Sequence, residues 1–116
     1  MNIQKFTQKS MEAMQNTEKI AVEHGNQEYQ PEHLLLALLQ LDDSLILKLI
    51  RKMGITAEAF SDEVERAIGR LPKVQGGQPY VSQDLNKILT MAEDEAKRMG
   101  DSYVSVEHIF LTMLKY

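Results

Sequence analysis

Two Glu-His pairs, Glu32-His33 and Glu107-His108, are the residues of this chain best suited to chemistry. A carboxylate beside an imidazole can act as a general acid and base or contribute to a metal site. A zinc-peptidase helix would need His-Glu-x-x-His, with two histidines one helical turn apart. Here each histidine is alone on its helix, and His24 lies across a turn on the preceding one. The chain has no cysteine, which removes thiol nucleophiles, disulfides and Cys-based zinc sites. No Ser/His/Asp nucleophile elbow is present, and Gly76-Gly77 lacks the Gly-Lys-Ser/Thr of a phosphate-binding loop. The residues therefore suggest no enzyme, no metal and no cofactor. The structural alternative is that Glu32 and Glu107 stand in first turns, where a carboxylate facing the helix dipole contributes ~0.3–1 kcal/mol. Each histidine would then pack beside a turn and bond the backbone.

The elements that position these pairs read as helices throughout. Thr7 is an N-cap for a first helix that buries Phe6, Ala13, Met14, Thr17, Ile20 and Ala21 and stops at Gly25-Asn26. Pro31 suits the first turn of a second helix, whose apolar run is Leu34 to Leu41. Ser44 is expected to cap a third, carrying Leu45, Leu47, Leu49, Ile50 and Met53 up to Gly54. Thr56 caps a fourth, from Ala57 to Ile68. "LPKVQGGQPY", Leu71 to Tyr80, is a loop. Ser82 caps a fifth helix lined by Leu85, Ile88, Leu89, Ala92, Ala96 and Met99, stopped by Gly100-Asp101. Ser105 caps a sixth, Val106 to Lys115. No run alternates with period two, so no strand is expected.

A shift of 75 positions lays "AVEHGNQEYQPEHLLLALL" over "AKRMGDSYVSVEHIFLTML" without a gap. Ala21/Ala96, Gly25/Gly100, Glu32/Glu107, His33/His108, Leu36/Leu111 and Leu39/Leu114 are identical, and Thr7/Ser82 and Met14/Leu89 agree upstream. The fold expected is all-α: a tandem, pseudo-twofold repeat of a four-helix unit, the second copy ending after two helices. Residues 1–116 read as one domain, with repeat one at 1–70, a connector at 71–81 and a partial repeat two at 82–116. The equivalence of the first and fifth helices suggests that they meet at the pseudo-twofold. A catalytic pair is seldom built twice, so the repetition favours the structural reading of Glu-His.

Composition narrows the partners. Thirteen basic against 17 acidic residues give a net charge of -4, spread over both halves. That disfavours a nucleic-acid groove or an anionic membrane surface. The leucine-rich stretch is too short to span a bilayer, no apolar signal-peptide core follows Met1, and the cysteine-free composition suits a cytoplasmic location. Seven methionines without a tryptophan admit two readings, core filling or an adaptable groove. Phe6, Met14, Leu89 and Met91 are the groove candidates.

These motifs resemble the amino-terminal domain of Clp-type AAA+ unfoldases. The resemblance is carried by "FTQKS" (Phe6 to Ser10), "EHLLLALL" (Glu32 to Leu39), its echo "EHIFLTML" (Glu107 to Leu114) and Gly100-Asp101, and it extends over nearly the whole chain. "LPKVQG" followed by "SQDLNKIL" is most similar to the ClpB branch, the stress-response disaggregases. The resemblance implies a substrate-binding domain on a flexible linker above an ATP-driven AAA+ hexamer. It would engage unfolded or aggregated proteins and pass them to the ring, with a DnaK-type chaperone cooperating. ATP and Mg would belong to the parent's ATPase modules, one of which carries a coiled-coil insertion. The alternative is an adaptor-docking domain of the ClpA or ClpC kind, feeding a peptidase. The resemblance further points to Thr7, Asp101 and Glu107 as polypeptide contacts. Each also has a local reading, as N-cap, turn former and dipole partner.

If the last two helices of the second repeat are absent, the fifth and sixth helices should expose apolar residues, among them Phe110 and Met113, and copies of the chain should associate. Light scattering at high concentration is expected to show self-association; a clean monomer with a high melting temperature would contradict it.

Overall fold

The computed structural model describes residues 5–42, 45–74 and 76–115, so the cap expected at Ser44 lies outside the described residues. Among the described residues six helices account for most of the fold: α1 (Gln8–Glu23), α2 (Pro31–Leu39), α3 (Leu45–Lys52), α4 (Ala57–Gly69), α5 (Gln83–Arg98) and α6 (Val106–Lys115). Thr7 and Ser82 cap α1 and α5 identically, the side-chain oxygen accepting from the backbone N–H three residues on, at 3.2 and 3.1 Å. Thr56 occupies the N-cap of α4 without a side-chain bond. Both long helices end in the same six-residue closure. Asn26 N–H donates to Ala21 O and Asp101 N–H to Ala96 O, each at 2.9 Å, while Gly25 and Gly100 hold φ of 71° and 76°. That left-handed turn is why glycine stands at both places. The second helix stops at Leu39 rather than Leu41, with Gln40 as its C-cap and Leu41 buried just beyond.

The chain also contains strands, contrary to the sequence expectation. β1 (Glu28–Tyr29) and β2 (Tyr80–Val81) form a parallel pair, Glu28 opposite Tyr80 and Tyr29 opposite Val81. Phe6 and Val104 form a parallel bridge. The 75-residue shift converts one contact into the other: Tyr29 becomes Val104, and Val81 becomes Phe6. Their hydrogen bonds match as well, with Ser82 N–H donating to Tyr29 O at 3.1 Å and Thr7 N–H to Val104 O at 3.0 Å. Each repeat thus lends its link segment to the backbone that leads into the other repeat's first helix.

Packing follows the same symmetry. Within repeats α1 lies on α2 and α5 on α6; between them α1 lies on α6, α2 on α5, and α2 on α6. The pseudo-twofold therefore passes between α2 and α6. The expected meeting of α1 and α5 is not among these packings, because the apolar faces of both are spent on α2 and α6. Leu34, Leu38, Leu85, Leu89 and Ile109 are fully buried in one core. Phe110, expected at the surface, is buried in that core and Met113 is half-buried against it. The exposed positions are instead Leu111 and Leu114, at 37% and 53%, whereas their mates Leu36 and Leu39 are buried on α2, where α4 packs.

The Glu-His pairs now have a physical role. His33 is buried; its Nδ1 accepts from the Gln30 backbone N–H at 2.9 Å and its Nε2 lies 2.9 Å from Asn26 Oδ1. A backbone N–H can only donate, so Nδ1 is bare and Nε2–H donates to Asn26. Asn26 Nδ2 in turn donates to Pro72 O at 3.0 Å, tying the connector to the turn after α1. His108 repeats this, accepting from Ser105 N–H at 2.9 Å and donating to Asp101 Oδ2 at 2.8 Å. Burial, and then the charge of His24, hold the His33 imidazole down to about 4 from the usual 6.5. The unfolded chain takes up this proton first, so stability is complete above about pH 6.5 and falls as pH drops toward 4. The loss at full effect is about 3 kcal/mol. Urea unfolding at pH 7, 6 and 5 is expected to show stability declining with acid in the parent and a flatter profile in His33→Gln; parallel profiles would contradict this assignment.

Candidate functional site

The residues singled out for polypeptide contact divide into two groups. Phe6 is 4% exposed and Leu89 0%, so both are core and cannot line a surface groove. Met14 packs half-buried against that core, and Met91 is also half-buried, on α5. With Phe6 and Leu89 inside the core, these four do not form one surface groove. Thr7, by contrast, is bonded to the α5–α6 link at Val104, where the α1 lead-in crosses the link, and Asp101 and Glu107 stand three residues to either side of Val104 in the chain.

The crossing is built from the backbone outward. Thr7 N–H and Ser10 Oγ both donate to Val104 O, at 3.0 and 2.9 Å, and Val104 N–H donates to Lys5 O at 2.7 Å. Thr7 Oγ1 donates to Ser10 Oγ at 2.9 Å while capping α1. Asp101 stands three residues before Val104, with its side chain 49% exposed though bonded to His108. One carboxylate oxygen is thus held by the buried imidazole while the group still faces solvent. Glu107 follows in the first turn of α6, half-buried, where the positive end of the helix dipole favours its charge. A surface holding an oriented carboxylate, a second acid and a capped helix end can accept hydrogen bonds from a backbone or side chain laid across it.

Beside this surface a cleft of about 260 Å³ opens between α5 and the link, walled by Lys5, Glu93, Lys97, Asp101 and Val104. Glu93 Oε1 is buried there and has no hydrogen-bond partner among the described residues. Sequence reasoning passed over Lys5, Glu93 and Val104; the signal available was the repeat, which places Glu18 over Glu93 and Tyr29 over Val104. Among the described residues no group of three or more His, Asp or Glu side chains comes together as a metal would require, and no helix is long and apolar enough to cross a membrane.

Comparison with known proteins identifies the family and the fold. The Clp repeat (R) N-terminal domain matches residues 5–116. The chaperone protein ClpB of Porphyromonas gingivalis is 44% identical over 98% of this chain, and that of Nitratidesulfovibrio vulgaris 43% identical over 99%. The chain spans only 13–14% of the length of these two relatives. The Hsp104 N-terminal domain of Candida albicans superposes with a TM-score of 0.83 at 25% identity, over 94% of this chain and 73% of that one. The fold also matches a ClpV N-domain solved in complex with a VipB peptide, with a TM-score of 0.81 at 23% identity over 97% of this chain and 69% of that one. The matched unit is an N-terminal domain and not an ATPase module, and the chain is non-catalytic. With the family matched over nearly every residue, the chain belongs to the Clp repeat N-terminal domain family.

Proposed function

We propose that this chain is the substrate-collecting N-terminal domain of a ClpB-type disaggregase. In this reading residues 1–116 act as one unit, which engages unfolded or aggregated polypeptides through Thr7, Asp101 and Glu107 and passes them to an AAA+ hexamer in the cytoplasm. ATP and Mg act in that ring, and a DnaK-type chaperone cooperates. The observation that carries the reading is the identity of 36–44% to ClpB proteins over 95% or more of the chain. The oriented Asp101 carboxylate beside the capped start of α1 supports the choice of surface. Met14 and Met91, both half-buried, are the adaptable apolar contacts this reading adds.

The second reading is an adaptor-docking domain of the ClpA or ClpC kind. It is supported by the shared fold of a ClpV N-domain that was solved with a VipB peptide, a defined segment rather than an unfolded chain. Self-association belongs to the proposal too, through Leu111 and Leu114, the exposed mates of two buried leucines.

The pseudo-twofold supplies its own control. Thr7→Ala and Ser82→Ala each remove an equivalent N-cap, at about 1 kcal/mol of stability. Fluorescence anisotropy with a labelled, permanently unfolded model protein should show about fivefold weaker binding for Thr7→Ala and for Glu107→Ala, as expected for loss of roughly 1 kcal/mol. Ser82→Ala should bind as the parent does. Equal weakening by Thr7→Ala and Ser82→Ala would mean that the effect is stability alone, and the surface would be withdrawn. A preference for one folded adaptor, with no binding of the unfolded protein, would favour the second reading.

A further inference from the structure

The repeats differ in what lies against the turn after the first helix. In repeat one that turn is Gly25-Asn26-Gln27, and the chain's own connector is laid across it. Val74 N–H donates to Gly25 O at 3.0 Å, Asn26 Nδ2 donates to Pro72 O at 3.0 Å, and Gln27 Nε2 donates to Gln78 O at 3.1 Å. Lys73 covers the glycine, its Cβ 3.8 Å from the point a Gly25 Cβ would occupy. Pro72 C=O and Val74 N–H, two residues apart, both face the turn, the spacing at which an extended backbone presents groups to one side. The turn thus holds a polypeptide segment by main-chain bonds.

Under the 75-residue shift the same turn is Gly100-Asp101-Ser102, and it is bare. Among the described residues no atom lies within 4 Å of the point a Gly100 Cβ would occupy, and Gly100 O accepts no hydrogen bond. Asp101 is bonded through Oδ2 alone, to His108. Beside the turn lies the cleft of about 260 Å³ walled by Lys5, Ala96, Lys97, Asp101 and Ser102. In repeat one the mates Tyr80, Asn26 and Gln27 wall the corresponding space, but connector residues Leu71, Pro72 and Val74 wall it too, and about 140 Å³ is left.

We propose that the Gly100-Asp101-Ser102 turn receives an extended segment of a bound polypeptide, as Gly25-Asn26-Gln27 receives the connector, and that it rejects proline at the residue facing Asp101. A segment N–H donates to Gly100 O, as Val74 N–H does to Gly25 O. Two residues earlier the polarity is reversed. Asn26 offers a donor to the Pro72 carbonyl, and Pro72 has no N–H of its own. Asp101 is an acceptor only, so its second oxygen takes an N–H and repels a lone carbonyl. In an extended backbone a residue's N–H and C=O point to the same side, so every residue except proline brings that N–H to Asp101. The site reads the main chain and leaves the side chains free to vary. This assignment rests on the polypeptide-binding reading and adds to it a binding mode and one positional preference.

Amide chemical-shift titrations of the chain with acetyl-Leu-Ala-Ala-Val-amide and acetyl-Leu-Pro-Ala-Val-amide test it. The probes differ at one residue, and the second keeps the connector's proline. The alanine probe is expected to move the amides of Lys97, Asp101 and Ser102 and to bind about fivefold more tightly than the proline probe, the worth of one hydrogen bond. Asp101→Asn restores the donor that repeat one uses. Asn26 accepts from His33 Nε2 in repeat one, so an asparagine here can keep the His108 bond. In this variant the proline probe should gain, the alanine probe should lose, and the preference should vanish. If Asp101→Asn does not fold, the comparison of the two probes on the parent chain still decides. Equal binding of the probes to the parent, tighter binding of the proline probe, or shifts confined to other surfaces would overturn the assignment even where an unfolded model protein still binds. A preference unchanged in folded Asp101→Asn would trace it to the stiffness of proline and overturn it too. If the unfolded protein and both probes fail to bind, the polypeptide reading falls with it.

Discussion

The structure depends on a reciprocal backbone exchange. The amide before α1 donates to the link of repeat two, and the amide before α5 donates to the link of repeat one. Neither repeat completes its own edge, and an amide buried without its partner costs on the order of 1–3 kcal/mol. The two copies are therefore joined by directional bonds as well as by the non-directional core of α2 and α6. The exchange fixes where each long helix begins, since Thr7 and Ser82 serve as both strand-end donors and helix caps. It also brings the α1 start against the α5–α6 link that runs from Asp101 to α6, although the two come from opposite ends of the chain.

The histidines extend the same constraint to the second helix of each repeat. A neutral imidazole three residues into the segment takes the amide that would otherwise be orphaned, and its other nitrogen reaches back to the turn after the first helix. The acceptor differs, Asn26 in one copy and Asp101 in the other. Asn26 has an amide donor beside that acceptor, which it spends on the connector at Pro72. Asp101 has a charge, half of it turned to solvent. One repeat thus uses the position to tie the molecule together, and the other presents a carboxylate. Both copies keep the histidine bond, and they differ in the chemistry of the group that accepts it.

Much of this was legible in the sequence. Helix caps, glycine stops and apolar spacing are local signals, and they located all six helices to within a few residues. The repeat turned Glu-His from a possible active site into a structural device, and the structure supplies the bonds. The strands were not legible, because two-residue pairs show no alternation and their partners are distant in sequence. Phe6 and Leu89 were read as groove residues because apolar spacing identifies a buried face without saying what buries it. Phe110 was expected to be bare for a related reason: only the folded chain shows that α3 and α1 both pack on α6.

The central claim is that one of two equivalent crossings serves binding and the other serves the fold. Residue-resolved amide hydrogen exchange at Thr7 and Ser82, with and without a saturating unfolded polypeptide, tests it most directly. Both amides should be protected in the free chain, and the polypeptide should slow exchange further at Thr7 while leaving Ser82 unchanged. An equal change at both positions, or none at either, would contradict the account.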